Sequence, residues 1–267
     1  MTISYRQLKE LKKPDCRREL GLAVIEGVRL VMDAQKGGIE FTALYVSKSF
    51  AGSGDYNFKR ISEKFRESGS EPIILSDSLF NAVCDTKTPQ GVLAVIRTVE
   101  YRIDELLAEG PKRLYVILDE INDPGNAGSI VRTAEAAGFT GVILSAGCVD
   151  LYSPKTLRAS MGSALRIPVV QNAVLTEAIV TMRSSGITVF AAASDARCCY
   201  YEFDLSTDAA FVIGNEAFGV RREVAEICDE RIRIPMPGGA ESLNAGVAAG
   251  VLIYESVRKS NVHEQER

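Results

Sequence analysis

The chain has 267 residues, 46% of them apolar, and a formal net charge of −4. That length supports one large domain or two smaller ones, and the apolar fraction is that of an ordinary globular protein. The slightly acidic balance excludes a globally basic nucleic-acid binder, so any anionic partner must be met by local basic patches.

No signal peptide, apolar run of transmembrane length or low-complexity tail is visible, which sets the expectation of a soluble cytoplasmic protein with no membrane partner. The cysteines Cys16, Cys84, Cys148, Cys198, Cys199 and Cys228 are scattered and form no C-x-x-C pair. They are expected to be reduced and mostly buried, without a structural zinc or other metal. The single histidine, His263, lies in a polar C-terminal tail. A histidine general base in the folded core, and with it a Ser-His-Asp or Cys-His triad, is therefore nearly excluded.

In chain order, residues 2–18 carry Arg6, Lys9, Lys12, Lys13, Arg17 and Arg18 against Glu10 and Asp15. This basic stretch reads equally as a solvated helix face or as a contact to nucleic-acid phosphate. Residues 22–36 are apolar enough for a packed helix opening at a strand-like edge and stopped by Gly37-Gly38. A strand follows at 41–46, a loop at Gly52–Gly54, a helix at 57–68, a strand at 72–75, a helix at 76–83 opened by Ser76 or Asp77, and a strand over Gly91–Arg97. Such alternation makes a small α/β domain. Residues 98–112, ending in Gly110-Pro111, read as a linker with the first helix of a second domain.

From residue 113 the pattern restarts. Strands are expected at 114–118, 141–145, 167–170, 187–191, 210–214 and 231–235. Helices are expected at 128–137, 153–163, 174–185, 219–228 and 243–258. This is an α/β domain with a mostly parallel sheet. Residues 1–105 are close to neutral and the excess acid lies later, so the first domain is the better candidate for touching an anionic partner.

Three stretches of the second domain place small or polar residues directly after a buried strand. They are Leu118–Glu135, Phe211–Gly219 and Ile232–Gly246, each taken with the end of its strand. Glycine after a strand lets a ligand approach the backbone, and loops at strand carboxyl ends converge on one crevice. Each stretch alone has a plain structural reading. Asn126 can hold its turn, Arg132 can pair with Glu135, Gly-Asn-Glu can be a turn, and Ser242 can cap the next helix. The helix after Asn244 is nearly bare of bulk (Ala245, Gly246, Ala248, Ala249, Gly250), which favours a tight internal or subunit contact. Gly125-Asn126-Ala127-Gly128 is not G-x-G-x-x-G, and no acidic residue is placed for a ribose until Asp150, so a dinucleotide fold is disfavoured.

The motifs Asn126-x-Gly128-x-x-x-Arg132-Thr133-Ala134, Ile213-Gly214-Asn215-Glu216, and Ile234-Pro235-Met236 followed by Ser242-Leu243-Asn244 resemble the signatures of the SpoU (TrmH-type) RNA ribose 2′-O-methyltransferases of the SPOUT superfamily. Ser153-Pro154-Lys155 through Arg158–Ser163 also resembles this family, while Ala217 stands where a glycine is usual. Glu26-Gly27 and Thr88-Pro89-Gln90-Gly91-Val92 are similar to the family's small ribosomal-protein-like substrate-binding domain. The resemblance implies a knotted methyltransferase domain (110–260) with a mostly parallel sheet and a trefoil knot, preceded by an α/β RNA-binding domain (1–105). It implies S-adenosylmethionine as cofactor, a homodimer, and RNA as substrate, ribosomal RNA ahead of transfer RNA. A catalytically silent RNA-binding or assembly protein on the same fold is the alternative. Of the site residues, it implies catalytic roles for Arg132, Asn126, Glu216, Ser242 and Asn244. Cofactor contacts fall to Ile213, Gly214, Ile234, Met236, Leu243 and Gly147, and RNA contacts to Arg17, Arg18, Lys155 and Arg158. The resemblance implies that Arg132, assisted by an RNA phosphate, removes the proton of the 2′-hydroxyl; because an arginine is a poor base, the residue itself reads as orienting the hydroxyl and a phosphate, and the two roles stay open.

Overall fold

A computed structural model of the protein describes residues 3–107, 113–206 and 208–265; Gly110 and Pro111 of the expected linker lie outside the described residues. Two compact units emerge. The first gathers the residues up to Val99 with Tyr152–Leu165, and the second gathers Glu100–Leu151 with the residues from Arg166 onward.

The first unit opens with two short helices, α1 (Tyr5–Glu10) and α2 (Pro14–Leu20). Then come β1 (Leu22–Glu26), α3 (Val28–Lys36), β2 (Phe41–Ser47), α4 (Lys48–Gly52), α5 (Tyr56–Arg66), β3 (Ile73–Leu75), α6 (Asp77–Val83) and β4 (Val92–Arg97). The strands lie in the order β1-β4-β2-β3, with β2 and β3 parallel and the other pairs antiparallel. Residues 22–36 are thus a strand and a helix rather than one helix. Gly27 sits at φ 101°, which ends the strand and cannot continue a helix. The segment expected as a loop at Gly52–Gly54 is preceded by α4, which Ser47 caps by accepting the Phe50 N–H.

Glu26 and Gln90 have structural work in this unit. The buried Glu26 carboxylate accepts the Asp85 N–H at 2.8 Å and the Thr86 hydroxyl, and Gln90 Oε1 accepts the Val28 N–H at 2.8 Å. Gly91 is required because a Cβ there would lie 2.5 Å from that of Phe50. Together they fasten the loop 85–91 to the β1–α3 junction.

The second unit holds α7 (Ile103–Leu106), β5 (Leu114–Asp119), α8 (Pro124–Ala136) and β6 (Gly141–Ser145). The chain then contributes α9 (Pro154–Ala159) to the first unit. There Arg158 pairs with Asp85 at 2.5 Å, and the Tyr152 hydroxyl donates to the Val99 carbonyl at 2.9 Å. The second unit resumes with β7 (Val169–Ala173), α10 (Leu175–Ser184), β8 (Thr188–Ala192), β9 (Cys198–Cys199), β10 (Ala209–Gly214), α11 (Arg222–Ala225), β11 (Glu230–Arg233) and α12 (Ala245–Gln265). The sheet runs β7-β6-β5-β10-β8-β11-β9 and every neighbouring pair is parallel.

Strands β5, β6 and the first five residues of β10 are buried along their lengths, as expected of parallel strands covered on both faces. The short β9 was not foreseen, and α11 covers four residues instead of the ten expected at 219–228. Among the described residues no helix is long and apolar enough to cross a membrane.

All six cysteines are free thiols, with Cys84 and Cys199 buried and the others partly so. Burial pushes the Cys84 and Cys228 thiols up to about 12, which leaves them protonated and unreactive near neutral pH.

Strand β10 forms late in the chain yet lies between β5 and β8. The connections therefore diverge on either side of β5 and β10, and open parallel sheets place a crevice at the carboxyl ends of such a switch point.

Candidate active site

Asp119 ends β5 and is fully buried. Its carboxylate accepts both the Arg221 main-chain N–H and Arg221 Nε at 2.8 Å, so the charge is paired and hydrogen-bonded. The sequence reading missed this pair. Its only signal was a carboxylate closing an otherwise apolar strand.

After β5 the chain turns into α8 earlier than expected. Asp123 is the N-cap, Pro124 occupies the first turn, and Asp123 Oδ1 accepts the Asn126 N–H at 2.8 Å. Proline is tolerated there because its missing N–H is one the helix would not use. Asn126 therefore stands inside the first turn of α8, with its side-chain amide turned toward the crevice.

The loop after β10 is braced by Asn215. Its Nδ2 donates to the Glu120 carbonyl at 2.9 Å, its Oδ1 accepts the Ala217 N–H at 2.9 Å, and its carbonyl accepts the Gly219 N–H at 2.8 Å. The turn folds back so closely that a Cβ on Gly214 would sit 2.1 Å from main-chain atoms of Gly219 and Val220. Ala217 is exposed and is not among the residues with positive φ, so replacing the usual glycine costs no backbone strain.

These pieces meet through side chains. Asn126 Nδ2 donates to Glu216 Oε1, and Asn126 Oδ1 accepts Asn244 Nδ2 at 2.9 Å. Asn244 Oδ1 in turn accepts the Gly246 and Val247 N–H groups at 2.9 and 3.2 Å, capping α12. The amide orientations follow from chemistry: an ionised carboxylate only accepts, so the Asn126 NH₂ must face Glu216, and the rest of the relay is fixed in turn. One polar chain thus links all three stretches. Ser242, the alternative cap for this helix, is exposed, and Asn244 takes that role. Gly246 permits the approach of α12 to α8, since a Cβ there would lie 2.6 Å from Ser129 Oγ.

Arg132 lies on α8 one to two turns beyond Asn126 and is exposed. It makes no hydrogen bond or ion pair among the described residues. Glu135, the partner suggested by spacing, is taken by Arg166 at 2.9 Å. Glu216 orients Asn126, not Arg132.

Ile213 is buried at the end of β10, Gly214 follows it, and Ile234 and Met236 are half-buried after β11. Leu243 is exposed beside Asn244. Strand β8 separates β10 from β11, so the loop after β8 lies between these stretches, tied by the Ala193 N–H to the Ile232 carbonyl at 2.9 Å. The sequence reading did not single out that loop. Gly147 follows β6, on the other side of β5 from β10, and a Cβ there would lie 2.7 Å from Glu120 Cγ. It lines a recess with Glu120, Thr176 and Arg221.

The residues fit a nucleoside-bearing cofactor. The main-chain groups of Met236 and Leu243 make no hydrogen bond within the chain among the described residues, and apolar Ile234 and Met236 stand half-buried beside them. Apolar surface with unspent main-chain donors and acceptors suits the faces and edge of a purine.

The expected RNA contacts divide. Arg17 is buried, and its Nη1 donates to the Leu11 and Lys12 carbonyls at 2.8 Å, so it ties α1 to α2 and is withdrawn from phosphate. Arg158 is committed to Asp85. Arg18 is exposed and pairs with Asp15 at 2.5 Å, while Lys155 is exposed at the start of α9.

The sequence profile of the SpoU rRNA Methylase family matches residues 113–254, and that of an MRM3-like substrate binding domain matches residues 4–94. A Bacillus subtilis protein named 23S rRNA (guanosine(2553)-2'-O)-methyltransferase RlmP is 38% identical over 188 residues, covering 70% of this chain and 73% of its own. Among solved structures, the AdoMet-bound rRNA methyltransferase from Sinorhizobium meliloti superposes with a TM-score of 0.82 at 28% identity, over 95% of this chain and 94% of that one. The SpoU methyltransferase AviRb from Streptomyces viridochromogenes does so with 0.85 at 27% identity, over 97% and 98%.

Proposed function

Because the chain belongs to the SpoU rRNA Methylase family, we propose that it transfers the methyl group of S-adenosylmethionine to a ribose 2′-hydroxyl of ribosomal RNA. The observation that carries this reading is the continuous Glu216–Asn126–Asn244 hydrogen-bond chain, which binds three distant motifs into one crevice at the sheet's switch point. A protein that had lost turnover would have no need to keep that relay intact.

The methyltransferase domain expected over 110–260 is the catalytic part, and its proposed catalytic and cofactor residues all lie in the second unit. When bound, S-adenosylmethionine supplies an electrophilic sulfonium methyl. Gly214, Ile234, Met236 and Leu243 hold it through main-chain groups and apolar surface. Asn126, locked at both ends of its amide, positions the ribose. Arg132, permanently charged, orients a phosphate and the 2′-hydroxyl. Much of the rate then comes from holding the hydroxyl in near-attack geometry. Ser242 and Asn244 line the crevice. The first unit supplies RNA contacts from exposed basic residues, Arg18 on α2 and Lys155 on α9.

Two assembly features belong to the same reading. Val247, Val251 and Tyr254 lie at i, i+4 and i+7 on α12, with Val247 and Tyr254 exposed, and this stripe is the contact of a homodimer. The chain leaves β11 beyond β8 and returns to pack α12 against α8 and β10, a path that suits a trefoil knot. A cytoplasmic location is part of the same reading.

Labelled-methyl transfer into unmodified ribosomal RNA and, separately, transfer RNA tests the function. One alkali-resistant ribose in ribosomal RNA is the expected result. Label confined to transfer RNA, or none in either pool, overturns it.

A further inference from the structure

Phe218 is the most exposed large apolar side chain among the described residues, with 89% of its surface accessible. It is not a side chain on a loose tail. Asn215 clamps the five-residue turn that carries it through the three hydrogen bonds given above, and Gly214 and Gly219 close the turn from either end. The ring is therefore held out to solvent by rigid backbone.

It also stands two residues from Glu216, within about 7 Å along the chain. Glu216 bonds the Asn126 amide that positions the ribose. An aromatic face fixed so close to the reacting sugar is within reach of a base attached to that sugar or to the next one. Every nucleobase offers a π-face, and stacking on aromatic side chains is how proteins grip unpaired bases. A rigid ring loses little conformational freedom in doing so.

We propose that Phe218 is the stacking platform for an unpaired RNA base at the methylated nucleotide or its neighbour, a positioning residue for the substrate rather than for the cofactor. This rests on the reading of the site as an RNA ribose methyltransferase.

The chain contains no tryptophan, so Phe218→Trp places a single indole reporter at the site. With unmodified 23S ribosomal RNA transcript as probe, the indole emission should be quenched on RNA addition. Phe218→Ala should raise the KM for the transcript at least about fivefold. Its kcat should stay within about twofold, its affinity for S-adenosylmethionine should be unchanged, and Phe218→Tyr should restore KM. A wild-type KM in Phe218→Ala, or an indole blind to RNA, overturns the proposal. So does a loss of cofactor affinity or of sedimentation mass in Phe218→Ala, because the ring would then serve the fold or a subunit contact. Failure of the wild-type protein to methylate any ribosomal RNA would instead sink the functional reading, and the quenching arm would still decide whether a base stacks on residue 218.

Discussion

Arg132 carries a full charge that no described residue neutralises, and that is what distinguishes it from the other arginines of α8's surroundings, such as Arg166 and Arg221, which are tied to Glu135 and Asp119. Replacing it should therefore leave the fold and the cofactor pocket alone. Arg132→Ala is expected to lower methyl transfer by at least about 100-fold, with calorimetry showing an S-adenosylmethionine affinity within about threefold of wild type. Equal loss of both would show that the guanidinium serves the pocket instead. Gly214→Ala is the opposite case. Its Cβ meets main chain at 2.1 Å, which no rotamer change relieves. It should destabilise the protein by about 1–3 kcal/mol, as overpacking does, seen as a lower Tm, and cofactor affinity should fall with it. Asn126, Glu216 and Asn244 could each be singled out in the sequence because each sits in a short motif, but that they bond one another across 90 and 118 residues appears only in the fold. The Asp119–Arg221 pair was not, because its members lie 102 residues apart and only the sheet order brings them together.

The central strands β5, β6 and β10 were read to within a residue, since burial on both faces writes an uninterrupted apolar run, whereas the edge strands β7 and β9 were displaced or missed. The errors came where one cue stood for two structures. Apolar density over 22–36 concealed a break at Gly27, and Asp-Pro-Gly-Asn at 123–126 read as a turn although it opens a helix. Another element-level link joins the amino ends of β5 and β10. Arg113 Nη2 donates to Asp208 at 2.5 Å, and that hydrogen bond holds the Asp208 carboxyl below its ordinary range. A depressed carboxylate stabilises the fold at pH values above its unfolded value, about 3.9, and loses that contribution as pH falls through the lower folded value. Asp208→Asn should accordingly melt below wild type at pH 7, with the gap closing as the pH drops under about 4. Because Asp208 is 35% exposed, solvent screening keeps the gap small. A gap that persists unchanged at pH 3 would mean packing, not charge, is responsible.

The restart of the strand–helix pattern at residue 113 made two units legible, but nothing in the sequence showed that Tyr152–Leu165 joins the first of them. Its attachment is tertiary: Arg158 to Asp85, Tyr152 to Val99, and α9 against β1. The stretch Ser153–Ser163 lies in sequence within residues 113–254, the part that matches the SpoU family profile, which is why pattern alone assigned it there. A chain beginning at Glu100 should retain the parallel sheet yet leave α9 without its support. Amide exchange over Pro154–Ala159 should be slow in the full protein and fast in the shortened one, and equal protection in both would refute the assignment. The same excursion bears on how the protein is made. Synthesis is directional, and small domains usually fold as soon as they clear the exit tunnel. Here the first unit is complete only after residue 165 has emerged, not after residue 99. At about 5–20 residues per second that is a wait of several seconds, during which the β1 surface destined for α9 stands open while strands β5 and β6 of the other unit are already being laid down.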